Sequence, residues 1–553
     1  MEEVRIGVFV CHCGTNIAGH LDVKDVAEYA ATLPKVVYTK DNLYTCSEAG
    51  IAEIKNAVKE QQLTRVVVAS CSPRTHQPLF QSACAEAGLN PYLFEMVNIR
   101  DQCSWVHMQE RPNATAKAKD LIRMGVAKAT FLEPQQDIEG SITRRALVIG
   151  GGVAGLSAAE AFADMGFQTV VVEREAKLGG MLQKLNLIGP FQYKAADQIE
   201  ALIKKVTGKK KIKVYLSAEV TGFAGYIGNY DVTVRKKDRK EIVENVGCVV
   251  VATGAVPLEP TGMYGFDGSR VITQLQLEDQ LRQGDVPARN AVIIQCVGAR
   301  CAEREYCSRI CCLTGVKNAM IVKERHPEAH VTILYRDMQM YGAEKEQMLW
   351  DARGLEVRFD LYDPQQPPEV TKAAVRYYQP LTGNTRELAA DLVVLSTPLV
   401  AREGTAALAQ MMRLPMDANG FLLEAHAKLR PLDFATDGIF LAGSARYPAT
   451  VTEACSQGLG AASRAATVLF KDKLVTSAIV AEINELTCVG CQGCLEMCPF
   501  GAITYLPEKQ ICQVNRILCK GCGNCAATCP SQSAQLKGFK PKQLLSQIRA
   551  VAF

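Results

Sequence analysis

The chain has 553 residues, enough for three or four domains, each with its own core. Its 62 basic residues nearly balance 58 acidic ones, which argues against a dedicated nucleic-acid or membrane-surface role, and no apolar run approaches the roughly 18 residues of a membrane span. The N-terminus, MEEVRIGVFV, runs into a strand without a basic region or cleavage site, so a cytoplasmic protein is expected, and its 22 cysteines are expected to be metal ligands and not disulfides.

Residues 1–135 alternate strands and helices, with strands expected at Arg5–Val10, Val36–Tyr38, Arg65–Ala69 and Tyr92–Met96. Cys11 and Cys13 follow the first strand, Cys46 a segment after the second, Cys71 the third, and Cys103 the loop after the fourth. Strand ends in an open α/β sheet converge at its carboxyl edge, so four of these five thiols are expected to hold an iron–sulfur cluster. Cysteine is also an ordinary core residue, and that is the reading for Cys84 in its helical pattern.

Next comes RRALVIGGGVAGLSAAEAFADMGFQTVVVERE, Arg144–Glu175. Ala146–Ile149 form a short apolar strand, Gly150, Gly152 and Gly155 stand at G-x-G-x-x-G spacing around Val153 and Ala154, and Leu156–Met165 has the small, apolar period of a helix packed on a sheet. The first glycine permits the turn, the second lets backbone N–H groups approach a pyrophosphate, and the third lets helix and strand pack closely. The second strand, Thr169–Val172, ends in Glu173, whose carboxylate suits the hydroxyls of an adenosine ribose, with Arg174 beside it. Strand, glycines, helix, strand and acid in a row predict a dinucleotide site.

Leu178-Gly179-Gly180 directly after the acid and Ala252-Thr253-Gly254 within CVVVATGAVPLEP resemble flavin enzymes of the thioredoxin-reductase and glutathione-reductase kind, which implies FAD. DGIFLAGSARYPATVTEACSQGLGAA, Asp437–Ala462, resembles their returning segment, which implies a helix after Gly443 near the flavin. Residues 136–285 and 401–478 are therefore expected to be two parts of one FAD domain. GKKKIK, Gly208–Lys213, is read as a solvated hairpin or loop.

Residues 286–400 occupy the place of a nicotinamide domain, and a strand, Ala291–Gln295, begins it. A glycine-rich phosphate turn should follow. Instead the chain reads CVGARCAEREYCSRICC, with Cys296, Cys301, Cys307, Cys311 and Cys312, while the outline through Val331–Tyr335 and Asp391–Pro398 keeps a βαβ form. The nicotinamide site is read as lost and a [4Fe–4S] cluster as installed, with zinc as the alternative metal for a sulfur site. A flavoenzyme redox disulfide is not expected, since no C-x-x-C or C-x4-C pair stands beside Gly150.

Residues 479–553 contain CVGCQGCLEMCP, Cys488–Pro499, and CKGCGNCAATCP, Cys519–Pro530, each C-x2-C-x2-C-x3-C-P. In such ferredoxin modules three cysteines of one run share a cluster with the fourth of the other. Cys488, Cys491, Cys494 and Cys529 are expected to hold one cluster, and Cys519, Cys522, Cys525 and Cys498 the other. KPKQLLSQIRAVAF reads as a short basic helix that docks onto the protein or a partner.

Taken together, VFVCHCGTNIAG, YTCSEAG, VVVASCSPRTHQPLF, NPYLFEMVNIRDQCSWVH, VIGGGVAGLSAA, YCSRICC and ILYRDMQMYG resemble the A subunit of heterodisulfide reductase over nearly the whole chain. The resemblance implies an α/β, thioredoxin-reductase-like flavoprotein with two dinucleotide-type domains, an N-terminal α/β cluster domain and a C-terminal 2×[4Fe–4S] ferredoxin domain. It implies FAD, four [4Fe–4S] clusters and electron bifurcation or confurcation. The implied partners are B and C subunits, a hydrogenase, formate dehydrogenase or other donor module, and ferredoxin, within a homodimerised larger complex without nucleic acid. It assigns the central cluster to Cys296, Cys307, Cys311 and Cys312, because family members can lack a cysteine at the place of Cys301, and it marks Lys317 as a cation near flavin N5.

One departure stands out. GGMLQKLNLIGPFQYKAADQIEALIKK runs from Gly179 into a helix without the inserted ferredoxin domain that many members carry, so this resembles a short form. A linear relay without bifurcation is therefore the second reading. A self-contained NAD(P)H reductase is disfavoured by the missing second glycine fingerprint.

Overall fold

The computed structural model describes residues 3–552 apart from Asp285 and Pro287. It divides into two compact units, Met1–Glu139 with Val475–Phe553, and Gly140–Leu474.

In the first unit, the strands Ile6–Cys11, Val36–Asn42, Arg65–Ser70 and Phe94–Asn98 form a parallel sheet in the order second, first, third, fourth. The two inner strands are valine-rich and buried almost throughout, as a parallel sheet covered on both faces requires. The crossover helices Val23–Ala31, Glu48–Glu60 and Pro73–Glu86 start at the side-chain caps Asp22, Ser47 and Ser72. The direction of winding reverses between the first and third strands, so Cys11 and Cys71 leave the sheet on either side of a topological switch point.

The C-terminal part of the same unit is built from two antiparallel pairs, Ala481–Ile483 with Ala534–Leu536 and Ile503–Leu506 with Ile511–Val514. Its tail helix, Pro541–Ala552, lies on the helix Arg111–Ala129. Gln543 Nε2 donates to Phe131 O at 2.9 Å, Lys540 Nζ meets Glu133 at 2.6 Å, and Lys128 Nζ sits 4.3 Å from the Phe539 ring centre. The basic tail thus docks onto its own chain, and the first and last segments share one compact body.

The second unit holds two five-stranded parallel sheets. The first has the order Ile212–Tyr215, Gln168–Val172, Arg145–Ile149, Cys248–Val251, Ile439–Leu441, so a strand from beyond residue 401 closes a sheet begun at residue 145. The second has the order Val271–Thr273, Leu392–Leu395, Asn290–Ile294, His330–Tyr335, Arg358–Leu361. Its outer strand, Val271–Thr273, and the capped helix Gln274–Gln283 come from sequence that reads as part of the first FAD segment. Three residues are too few to show a period. In the lysine run, Lys209 pairs with Asp164 and Lys211 Nζ donates to Gly166 O at 2.8 Å, both on the surface. Among the described residues no helix is long and apolar enough to cross a membrane.

Candidate functional site

A cavity of about 460 Å³ opens in the second unit at the carboxyl end of the first sheet. The strand Arg145–Ile149 delivers Gly150 at φ +111°, where an added Cβ would lie 2.3 Å from Ala252 O. Only glycine fits. At Gly155 a Cβ would lie 1.9 Å from Gly150 O, so this glycine packs helix on strand and does not itself line the cavity. The helix Val153–Asp164 begins at Gly152 with no side-chain cap, and Gly152, Val153 and Ala154 all face the cavity, so its first N–H groups are open to an anion.

Glu173 is buried and its two oxygens accept from Gly151 N at 2.6 Å and Glu175 N at 2.8 Å, which aims the carboxylate at the cavity. Arg174, Gly180, Ala252, Thr253, Gly254 and Gly443 also line it, while Gly179 at φ +113° braces the turn by donating to Gly151 O at 2.8 Å. Gly443 N is held by Gln457 Oε1 at 2.9 Å, at the start of the returning segment. Two buried polar atoms on the cavity lining, Thr253 Oγ1 and Arg402 Nε, have no protein partner. Orphaned donors, an uncapped helix start and a carboxylate at the second strand fit a dinucleotide.

The same cavity lining carries a buried ion pair. Lys317, on the helix Cys311–Arg325, is 3% exposed, and its Nζ meets Glu278 Oε1 and donates to Leu187 O at 2.8 Å. Glu278 is 1% exposed and its other oxygen accepts from Asn186 N at 2.8 Å. Burial lowers the Lys317 pKa, and the charge of Glu278 works against that fall. Glu278 gives no local signal in the sequence, because a glutamate in an amphipathic helix ordinarily faces water.

Cys311 lines the same cavity. Cys296, Cys307, Cys311 and Cys312 act on one another electrostatically, whereas Cys301 turns aside to Glu303. Burial pushes the Cys312 thiol up to about 12 and raises Cys311 as well, which favours the neutral thiols. Arg309, between Cys307 and Cys311, reaches Glu453 at 2.5 Å in the first turn of the helix Val451–Leu469 and stacks 5.0 Å from the Tyr447 ring centre. The thiol loop is thereby clamped to the returning flavin-side helix.

In the first unit, Cys11, Cys13, Cys46 and Cys71 form a second interacting group at the sheet edge. Cys103, expected from sequence among the candidates, lies elsewhere. It is 0% exposed, its Sγ donates to Ala114 O at 3.1 Å, and the charge that bears on it is Lys117. The chain after the fourth strand winds into a π-turn, Arg100–Ser104, which rotates Cys103 into the core and presents Arg100 to the other thiols.

In the C-terminal part, Cys498, Cys519, Cys522 and Cys525 line one small cavity. Cys488 acts on Cys494, while Cys491 is exposed. Burial works to raise the Cys529 thiol, yet hydrogen bonds from Ser533, Ala534 N and Ser531 together outweigh it and bring the pKa down to about 7. Backbone amides reach the sulfurs of Cys498, Cys519 and Cys529 at 3.3, 3.3 and 3.4 Å, the contacts that tune cluster potentials. Among the described residues no three His, Cys, Asp or Glu side chains converge on one ion-sized point.

Residues 144–458 match the family described as pyridine nucleotide-disulphide oxidoreductase, and residues 487–533 match the 4Fe-4S dicluster domain. The chain is 38% identical over 599 aligned residues to the second iron-sulfur A subunit of the CoB–CoM heterodisulfide reductase of Methanopyrus kandleri, with 91% of each chain covered. The chain belongs to the A-subunit family of heterodisulfide reductases. It is also 37% identical over 601 residues, again 91% of each chain, to the A subunit of the H(2):CoB-CoM heterodisulfide,ferredoxin reductase of Methanothermobacter thermautotrophicus. These aligned spans exceed the 553 residues present, so such relatives of the heterodisulfide reductase A type carry residues that this chain lacks. Among solved structures, T. acidophilum thioredoxin reductase covers 59% of this chain and 98% of its own, at 16% identity and a TM-score of 0.42. Membership in the heterodisulfide reductase A family makes the chain an oxidoreductase component of the flavin and iron–sulfur type.

Proposed function

We propose that this protein couples electron pairs to single electrons, splitting or merging them between a donor module, ferredoxin and a disulfide-reducing or related acceptor. The observation that carries the reading is the cavity itself: one lining brings together the dinucleotide turn at Gly150, Cys311 and the Lys317–Glu278 pair. FAD, when bound, supplies the exchange between two-electron and one-electron chemistry. Gly150, Gly152 and the start of the helix Val153–Asp164 would hold its pyrophosphate, Glu173 its ribose, and Thr253, Gly254 and Gly443 its remaining length. Lys317 holds a positive charge and a proton at Nζ against the cavity, positioned by Glu278 and Leu187 O. Cys311 places the central thiol group at the cavity surface, which suits short-range electron transfer.

Four [4Fe–4S] clusters are proposed, held by Cys11, Cys13, Cys46 and Cys71; by Cys296, Cys307, Cys311 and Cys312; and by the two sets of the dicluster domain. The relatives named for CoB–CoM heterodisulfide and ferredoxin support a heterodisulfide-reducing complex with ferredoxin involvement, and B and C subunits with a hydrogenase or formate dehydrogenase donor are proposed as its other members. The shorter length of this chain favours a second reading, a linear relay with fewer exits.

Anaerobic spectroelectrochemical titration of the flavin separates the two. Strongly crossed one-electron potentials, seen as a single two-electron midpoint, support bifurcation. Two well-separated one-electron steps in the ordinary order support the relay.

A further inference from the structure

We infer that Arg100 sets the reduction potential of the N-terminal thiol site, serving as the fixed cation against its sulfurs. The inference rests on the reading that Cys11, Cys13, Cys46 and Cys71 hold a [4Fe–4S] cluster.

The backbone around Arg100 is tightly determined. Asn98 Oδ1 accepts from Arg100 N at 3.2 Å and from Asp101 N at 2.9 Å, turning the chain as it leaves the edge strand. Ser104 Oγ, at the end of the same π-turn, donates to Asn16 O at 2.7 Å and so ties this turn to the loop that begins at Cys13. The Arg100 guanidinium lies 4.6 Å from the Trp105 ring centre, with Nε 3.5 Å from Asp101 Oδ1, and Ile99 N donates to Ser70 O at 2.9 Å, which seats Arg100 at the strand end next to Cys71. Its Nε is buried without a hydrogen-bond partner. A cation–π stack and two backbone ties therefore hold a guanidinium in one orientation beside the thiols.

Arg100 is the cation that bears on Cys46 and on Cys71. The other charged groups close by are His12 and Asp41, which pair with each other at 2.9 Å, and Asp101, which offsets part of the arginine charge. A reduced cluster carries one more negative charge than an oxidised one, so a fixed cation stabilises the reduced form more and raises the potential. Arginine cannot lose its proton in the working range, which makes this contribution independent of pH. The π-turn that takes Cys103 out of the ligand set is the element that brings Arg100 in.

The test is an EPR-monitored potentiometric titration of the anaerobically reconstituted full chain, with the N-terminal signal assigned by its loss in Cys71→Ser. Arg100→Gln is expected to keep its iron and to lower the potential of that signal, so that the reduced-to-oxidised ratio at fixed potential falls at least tenfold, about 59 mV for one electron. Arg100→Lys should recover most of the shift, and the other signals should stay in place. An unmoved potential in Arg100→Gln with the cluster present overturns the inference. If Arg100→Gln does not retain the cluster, Trp105→Leu, which keeps the charge but removes the ring that orients it, must lower the same potential, and no change overturns the inference. Equal iron in wild type and Cys71→Ser would instead overturn the underlying cluster reading.

Discussion

Lys317 and Glu278 form an ion pair sealed inside the wall of the flavin cavity, with 3% and 1% of their surfaces exposed. Neither residue could be buried alone at modest cost, since removing one partner of such a pair destabilises by about 3–5 kcal/mol. The pair is therefore a commitment of the fold on the lining of the cavity. Lys317→Ala should keep FAD and iron near wild-type levels, change the flavin midpoint potential and cut flavin-dependent electron transfer at least about tenfold. Lys317→Arg keeps charge without a releasable proton, so wild-type rates and potentials in both variants would make Lys317 a packing residue.

Burial also gives this lysine a signature in stability. Its folded pKa lies below the ordinary value of 10.5, so over the interval between the two the unfolded chain binds more protons than the folded one. The sign follows: the penalty for burying the charge is present below the folded value and is relieved as pH rises toward 10.5. The stability difference between wild type and Lys317→Met should therefore shift in favour of wild type on going from neutral pH into that alkaline interval. Chemical denaturation curves at several pH values measure it, and a flat difference would contradict the burial.

How much of this was legible in the sequence depends on the range of the forces involved. The Gly150 turn announces itself because each glycine answers a local contact, such as the 1.9 Å that a Cβ on Gly155 would leave to Gly150 O. The duplicated cysteine runs are equally local, and residues 487–533 match the dicluster domain accordingly. Cys103 was not separable from Cys71 by spacing, because the direction of its side chain is set by a π-turn and by a hydrogen bond to Ala114 O. Glu278 and Arg309 act through partners 39 and 144 residues away, and no periodicity encodes those.

The Arg309–Glu453 contact should govern how firmly the central cluster is held. Arg309 stands between two of the proposed ligands, Cys307 and Cys311, and Glu453 also belongs to a capping box with Thr450, so the ion pair joins the thiol loop to a pre-organised helix start. Arg309→Ala should speed iron loss from the central site to a chelator several-fold while the dicluster domain keeps its iron. A double-mutant cycle with Glu453→Gln should give a coupling of about 0.5–3 kcal/mol, and additive effects would mean the contact is incidental.

NADH and NADPH should fail to reduce the isolated chain. After the strand Asn290–Ile294 the chain presents Cys296 at φ +63° where a phosphate turn would offer glycine amides. Arg300, a cation near Cys296, is engaged by Asp337 at 2.7 Å and so is not free to bind a pyrophosphate. Thiolates around an anionic cluster would repel one further. Anaerobic mixing should leave the flavin absorbance unchanged for minutes, and rapid bleaching without partner proteins would mean that a nicotinamide site survives.

The two cysteines at neighbouring strand ends, Cys71 and Cys103, should part company in their iron dependence. Cys71 leaves the central strand Arg65–Ser70 among other thiols, with burial raising its pKa and Arg100 lowering it. Cys103 leaves the edge strand, is enclosed by the core and donates to a helix carbonyl. Reconstituted wild type should hold about 16 iron per FAD, four for each cluster. Cys71→Ser should lose about four of these while retaining the flavin spectrum. Cys103→Ser should retain all of them and lose only stability, because a hydroxyl can take over the hydrogen bond while packing less well than sulfur in an apolar core. If Cys103→Ser loses iron and Cys71→Ser does not, the ligand set at this sheet edge is the other one. A total near eight in wild type would confine clusters to residues 487–533 and remove both thiol groups from the account.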